Sequence, residues 1–338
     1  MKTTILAASL AAATLISAAG AEAGTLDDIK SKGFVQCGVS PALTGFSAPD
    51  ATGTYQGFDV DVCRAIATAV FGDPNKIKFT PLSAKERFTA LASGEVDVLS
   101  RNTTWTMTRD TSQGFKFAAI SYYDGQGFIV RKGIGVKSAL ELAGATVCTE
   151  TGTTTELNLA DFFHTNKLDY KPVTFGNNDE AVKAYETGRC DVYTTDQSGL
   201  YAIRLKLTNP DEHVILPEII SKEPLGPLVR QGDDPWFNVV KWSYFALLTA
   251  EELGVTKANV DEMLNSPNPE IRRLLGKEGT FGAGIGLSND WAYNEIKALG
   301  NYGEIFDKDI GPSSPLKIAR GLNAQWNKGG LQYAPPIR

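Results

Sequence analysis

The sequence predicts an α/β protein of two lobes, each built on a parallel-rich sheet, with a carboxyl-terminal extension. Three observations predict it. A helix–glycine–strand unit occurs twice. Short β-rich runs alternate with helix-patterned ones, which implies parallel strands covered by helices and joined right-handed. And 338 residues suffice for two lobes that each bury a core.

The first stretch reads as an address label. Lys2 gives a basic start, residues 5–19 are mostly apolar, and Ala21-Glu22-Ala23 fits a secretory cleavage site. Residues 1–23 are therefore expected to be a signal peptide. The run is short of the roughly 20 apolar residues of a membrane span. No Cys stands at the cut, so no lipid anchor is expected there. No later stretch is long and apolar enough to span a bilayer.

Past the expected cleavage point, Gly33-Phe34-Val35-Gln36-Cys37 reads as a first strand entered from a glycine. Cys63, Ile66, Ala67 and Val70 then fall on one helix face, and Phe88, Leu91 and Ala92 do the same later. Ala90-Leu91-Ala92-Ser93-Gly94-Glu95-Val96-Asp97-Val98 runs on to Asn102. It reads as a helix, a glycine stop and a buried strand, since Gly accepts the left-handed turn past a helix end. Phe128-Ile129-Val130 is a further strand, closed by a turn at Arg131-Lys132-Gly133. Then the plan recurs. Gly144-Ala145-Thr146-Val147-Cys148 matches the first strand, and Ala184 through Gly188 and Val192 to Asp196 matches the helix–glycine–strand unit. Asn102 and Asp196 occupy equivalent places at strand carboxyl ends.

These anchors set the expected lobes: residues 24–128 with 226–338, and residues 129–225. The chain must cross between them near Gln126–Lys132 and near Glu223–Arg230, where Pro224, Gly226 and Pro227 break helices and central strands. From about Pro267 the chain is rich in Gly, Asn and Pro but keeps Trp291, Tyr293, Tyr302, Phe306 and Trp326. It is expected to pack as an ordered extension on the first lobe.

Composition narrows the chemistry. The formal net charge is −6 and the basic residues are scattered, which argues against nucleic-acid binding. A secreted chain with four Cys is expected to hold two disulfides, and three pairings are possible on paper. Because each copy of the repeat holds one further Cys, the pairing within lobes, Cys37–Cys63 and Cys148–Cys190, is preferred. With two His and no zinc-type spacing, metal, cofactor and cysteine-nucleophile chemistry have little to stand on.

Three local signals could hold a ligand. Asn102-Thr103-Thr104-Trp105-Thr106-Met107-Thr108-Arg109 is a polar turn ending in an Arg, whose guanidinium clamps a carboxylate through two parallel hydrogen bonds. Thr151-Gly152-Thr153-Thr154-Thr155-Glu156 has capping-box spacing, and a helix start attracts anions. Asp196 ends a strand, where a carboxylate could meet a cation. Each alone also has an ordinary structural reading, as a surface charge, a capped helix or a turn residue.

Taken in order, these positions resemble a known family. Gly57-Phe58-Asp59-Val60-Asp61-Val62, the Thr-rich turn closed by Arg109, the Thr-Gly-Thr-Thr turn, and Gly188-Arg189-Cys190-Asp191 with Asp196 are similar to the polar amino-acid-binding proteins of ABC importers. The tail, from Asn289-Asp290-Trp291 through Asn301-Tyr302-Gly303 to Gly329-Gly330-Leu331-Gln332-Tyr333-Ala334-Pro335-Pro336, is similar to the subgroup that binds L-amino acids broadly. The resemblance implies the two-lobed periplasmic-binding-protein (Venus-flytrap) fold, a periplasmic location, hinge closure on an L-amino acid, and docking on inner-membrane permease subunits; a monomer is the default expectation for a diffusing carrier. It implies that Arg109 and Thr104 hold the α-carboxylate with Thr154 assisting, and that Asp196 and Asn102 hold the α-ammonium. Members specific for basic side chains place an Asp and an aromatic where this chain has Ser40 and Leu43, which favours breadth. Phe46, in the same loop, is expected to wall the pocket. Glu150 lies beside the cleft without an assigned role. Two rival readings share the fold: a dehydratase acting on prephenate-like acids, and a sensor that signals through a membrane receptor.

Overall fold

The computed structural model describes residues 24–338; the expected signal segment, residues 1–23, lies outside them. The chain opens with α1 (Thr25–Lys32), β1 (Val35–Val39), a hairpin of β2 (Ala48–Pro49) and β3 (Tyr55–Gln56), α2 (Phe58–Phe71), β4 (Ile77–Pro81), α3 (Arg87–Ser93), β5 (Val98–Leu99), α4 (Met107–Thr111) and β6 (Phe115–Phe117). Then follow β7 (Tyr122–Asp124), β8 (Gln126–Arg131), β9 (Thr146–Glu150), α5 (Thr154–Thr165), β10 (Lys171–Phe175), α6 (Asn178–Glu186), β11 (Val192–Asp196), α7 (Gln197–Arg204) and β12 (His213–Ile215). β13 (Glu223–Leu225) returns the chain to β14 (Leu228–Arg230), and α8 (Asp234–Glu252), α9 (Val260–Met263), α10 (Pro269–Leu274), α11 (Trp291–Leu299) and α12 (Tyr302–Asp309) complete it.

Two five-stranded sheets share one plan. The first has the order β4-β1-β5-β14-β6 and the second β10-β9-β11-β8-β12. In each, the first three strands run parallel and the fourth is antiparallel to both neighbours. The fourth strand is in each case the one that follows a crossing from the other sheet. The repeat units form the same parts: Gly94 (φ 79) ends α3 before β5, and Gly188 (φ 81) follows α6 before β11. A residue with Cβ in that left-handed region would be strained.

The structure joins Cys37 to Cys63, tying β1 to α2, and Cys148 to Cys190, tying β9 to the turn before β11. Each bond stays on its own sheet. α2 is buried almost all round, from Phe58 to Ala69, because the sheet covers one side and α8 and α11 the other. The carboxyl-terminal extension thus completes the first core: Ile271, Leu274, Trp291 and Ile296 join one cluster, and Tyr302, Ile305 and Phe306 another with Phe46, Phe58 and Tyr122.

Between the sheets lies a two-stranded ladder of β7 and β13, antiparallel, with Glu223 opposite Asp124 and Leu225 opposite Tyr122. The first crossing is therefore at residues 122–124. The expected division at 128/129 falls inside β8, which belongs wholly to the second sheet. The extension also grips this ladder. The Asn323 side chain accepts from Tyr123 N at 2.7 Å and donates to Tyr123 O at 3.1 Å, as a third strand would. Tyr302 and Gln332 donate to Ser121 O from the same side.

Candidate functional site

The carboxyl ends of the parallel strands of both sheets face one cleft, the place where open α/β sheets bind ligands. On the first side, β5 runs out into Ser100, Arg101 and Asn102. Asn102 sits at φ 32, an uncommon region for a residue with Cβ, and its N–H donates to Asp59 Oδ2 at 2.9 Å. Asp59 is buried at the start of α2. Burial pushes its carboxyl up to about 7, against the Asn102 N–H and the Arg101 charge.

The Thr-rich turn then folds into α4, capped by Thr106, whose hydroxyl accepts from Arg109 N at 3.3 Å. That single turn aims Arg109 back into the cleft. Arg109 is 6% exposed, its Nη1 donates to Thr104 O at 2.8 Å, and its guanidinium lies 5.0 Å over the Phe88 ring. Burial lowers it to about 10, with Glu223 and Asp196 opposing.

On the second side, Thr153 caps α5 by accepting from Glu156 N. The next residue, Thr154, points its hydroxyl across the cleft to within 3.3 Å of the Thr104 hydroxyl. Both hydroxyls donate to one acceptor, Glu223 Oε2, at 2.5 Å from Thr104 and 2.9 Å from Thr154. Glu223 Oε1 accepts from Asn158 Nδ2 and Ser221 Oγ, each at 2.6 Å. One carboxylate on the returning ladder strand thus collects donors from both sides and is saturated. Each Thr hydroxyl has a single proton, so while it serves Glu223 it can only accept from anything else.

Asp196 ends β11 at the start of α7, 6% exposed. Its carboxyl is held well above the usual range by burial first, then by Asp124 and Glu223. Asp124, on the first ladder strand, is itself pushed up to about 6 by burial, against donation from Ser198 and Gly125. Three buried polar atoms near these groups lack any partner among the described residues: Arg87 Nε, Asn102 Oδ1 and Gln126 Oε1.

Above this charged floor the cleft widens to a cavity of about 480 Å³. Ser40, Leu43, Arg101 and Asn102 border it from one side; Glu150, Asp179 and Thr195 border it from the other. Arg101 is 4% exposed and Glu150 faces it across the cleft, Nη2 to Oε1 at 3.7 Å. Glu150 Oε1 also accepts from Ala84 N at 3.1 Å, so it bridges the two sides.

The residues singled out in the sequence divide into three sets. Ser40 and Asn102 border the cavity, while Thr104, Thr154, Arg109 and Asp196 form the floor. Phe46 does neither: it is 1% exposed and packs edge-on against Phe58 and Tyr122 in the first core, so it is a core residue rather than a pocket wall. Sequence reasoning missed Glu223, Asn158 and Arg101. Glu223 carries a faint signal, an acid next to Pro224 in a crossing segment, but nothing local says where a crossing strand aims its side chain.

Among the described residues no helix is long and apolar enough to cross a membrane, and no acidic, His or Cys cluster could hold a metal. Comparison with known proteins places this geometry. The general L-amino acid-binding periplasmic protein AapJ of Rhizobium johnstonii is 67% identical over 341 residues, covering 100% of both chains. The glutamate/glutamine/aspartate/asparagine-binding protein BztA of Rhodobacter capsulatus is 58% identical over 339 residues, again with 100% of both covered. A solved ABC transporter/periplasmic binding protein from Brucella ovis with glutathione bound is 63% identical, with a TM-score of 0.92 over 94% of this chain and 100% of that one. An ancestral amino acid-binding protein described as a precursor of cyclohexadienyl dehydratase is more distant, at 29% identity and a TM-score of 0.58 over 68% of this chain and 95% of its own. Residues 35–274 match the bacterial extracellular solute-binding proteins, family 3, and with the paired sheets and the charged cleft between them already described, the chain belongs to that family.

Proposed function

We propose that this protein is the periplasmic solute-binding component of an amino-acid ABC importer, binding L-amino acids broadly and delivering them to inner-membrane permease subunits. The observation that carries the reading is a buried cation and a buried acid at one cleft floor. Arg109 comes from the first sheet's side and Asp196 from the end of the second sheet's central strand, and the two interact electrostatically. A zwitterion has both charges to offer them. Its α-carboxylate lies against the Arg109 guanidinium and takes over the Thr104 and Thr154 hydroxyls from Glu223. Its α-ammonium lies between Asp196 and the unpartnered Asn102 Oδ1.

The first lobe comprises residues 24–121 and 226–338, the second residues 125–222, with the β7–β13 ladder as hinge. A ligand touching both lobes binds the closed form better than the open one, and that difference drives closure. The closed monomer then docks on the permease. We read the chain as a carrier and not an enzyme, in line with relatives named as binding proteins.

The test is a calorimetric titration of the purified protein with the L-amino acids, repeated on Arg109→Ala. Removing the guanidinium leaves a buried carboxylate unpaired, which costs about 2–5 kcal/mol, or about 30-fold or more in affinity. A wild-type protein that binds no amino acid, or a variant with unaltered affinity, contradicts the proposal.

A further inference from the structure

Arg101 is buried yet poorly satisfied. Its Nε donates to Leu82 O at 2.7 Å, but its terminal nitrogens make no hydrogen bond. Its ion-pair partner is Glu150 Oε1, and 3.7 Å is beyond hydrogen-bonding reach. Glu150 is equally half-engaged: Oε1 holds the Ala84 N–H, and Oε2 has no partner. Two opposite charges therefore face each other from opposite lobes, both bordering the cavity above the zwitterion floor. A buried charge is costly unless paired and hydrogen-bonded, so both groups gain from a third party that reaches them. The remaining charged groups around the cavity, Glu86, Asp179 and Glu180, are all acidic.

We propose that Arg101 and Glu150 form a dual-polarity subsite for the ligand side chain, one that gives this protein its breadth. The inference rests on the amino-acid reading above and names how that site tells side chains apart. A side-chain carboxylate inserts at Arg101 and accepts two parallel N–H bonds from its terminal nitrogens. A side-chain ammonium or guanidinium inserts at Glu150 Oε2, with the acidic rim behind it. An amide uses both, its oxygen on Arg101 and its nitrogen on Glu150. Apolar side chains leave the pair facing itself. The two groups attract each other across 3.7 Å, so a charged side chain is held only when its own bonds to one of them outweigh that attraction.

The experiment is calorimetry with L-glutamate, L-glutamine and L-lysine on the wild-type chain, Arg101→Gln and Glu150→Gln, with a thermal melt of each variant. In Arg101→Gln the glutamate-to-glutamine affinity ratio falls tenfold or more while the lysine-to-glutamine ratio rises, because Glu150 is released. In Glu150→Gln both ratios move the opposite way. Arg101→Lys, which keeps the charge without the fork, lowers the glutamate ratio less than Arg101→Gln and serves if the Gln variant does not fold. Equal losses for all three ligands mean that the pair only holds the lobes together, and overturn the subsite. So does a wild-type protein that binds glutamine but neither charged ligand. A wild-type protein that binds none of the three defeats the amino-acid reading itself.

Discussion

Glu223→Gln separates two meanings of the saturated carboxylate at the cleft floor. In the wild-type chain Glu223 Oε2 accepts from the Thr104 and Thr154 hydroxyls, the two donors proposed for the ligand's own carboxylate. A hydrogen bond to a charged acceptor contributes about 1.5–3 kcal/mol and a neutral one about 0.5–1.5 kcal/mol. An amide at 223 therefore loosens each hydroxyl by roughly 1 kcal/mol. A ligand that claims both then faces about 2 kcal/mol less competition, which is about 30-fold in affinity. The variant also removes a negative charge beside the incoming carboxylate, in the same direction. Calorimetry should show amino acids binding ten- to thirtyfold tighter, with deaminated acid analogues gaining as much. Asn158 and Ser221 lose their charged acceptor too, so a lower melting temperature in the empty state is expected. Unchanged or weaker binding in a folded variant would refute the competition. Weaker binding would make Glu223 a partner of the ammonium group instead.

Burial, then Asp124 and Glu223, raise the Asp196 carboxyl well above the usual range, and an ammonium group set against it pulls it back down. Binding therefore expels a proton, and affinity rises with pH until the empty protein's own pKa is passed, then levels. Titrations in buffers of different ionisation heat read the proton directly, and Asp196→Asn should abolish both the proton and the slope. Asp59 is raised from 3.8 to about 7, so the folded state binds its proton more tightly than the unfolded chain. Stability is then fully present below pH 4, declines as pH rises towards 7 and is flat above. Asp59→Asn, whose amide oxygen can still accept from Asn102 N–H, should flatten melting temperature across that window; an unaltered pH profile argues against it. The disulfides close segments with separations of 26 and 42 residues, for which the chain-entropy account gives about 3.5 and about 4 kcal/mol. Urea unfolding of Cys37→Ser/Cys63→Ser and Cys148→Ser/Cys190→Ser should show losses of that order.

Much of the fold was legible because it is written twice. The glycine stops at Gly94 and Gly188 and the buried runs after them are local features, and local features set the equivalent central strands of both sheets. The placement of Arg109 and Asp196 at the cleft was readable for the same reason, each lying at a strand end or the turn beyond it. What stayed hidden depends on contacts distant in sequence. Glu223 meets Thr104 across 119 residues, and Arg101 meets Glu150 only because two separate sheets abut. Phe46 misled for a related reason: its loop borders the cleft, but the ring turns inward against Phe58 of α2 and Tyr122 of β7. The crossing at residues 122–124 was displaced in the sequence reading because a ladder of three-residue strands leaves no periodicity to recognise.

The grip of Asn323 on Tyr123 makes the pivot lopsided. One leg of the ladder is fastened to the carboxyl-terminal tail, while the other leg has no such clamp among the described residues. Just past the clamp, at Gly125, Ile219 and the Ser221 carbonyl leave no room for even a methyl group. The tail, remote in sequence, is thus built into the crossing itself, and shortening it would leave the Tyr123 backbone groups without their partner.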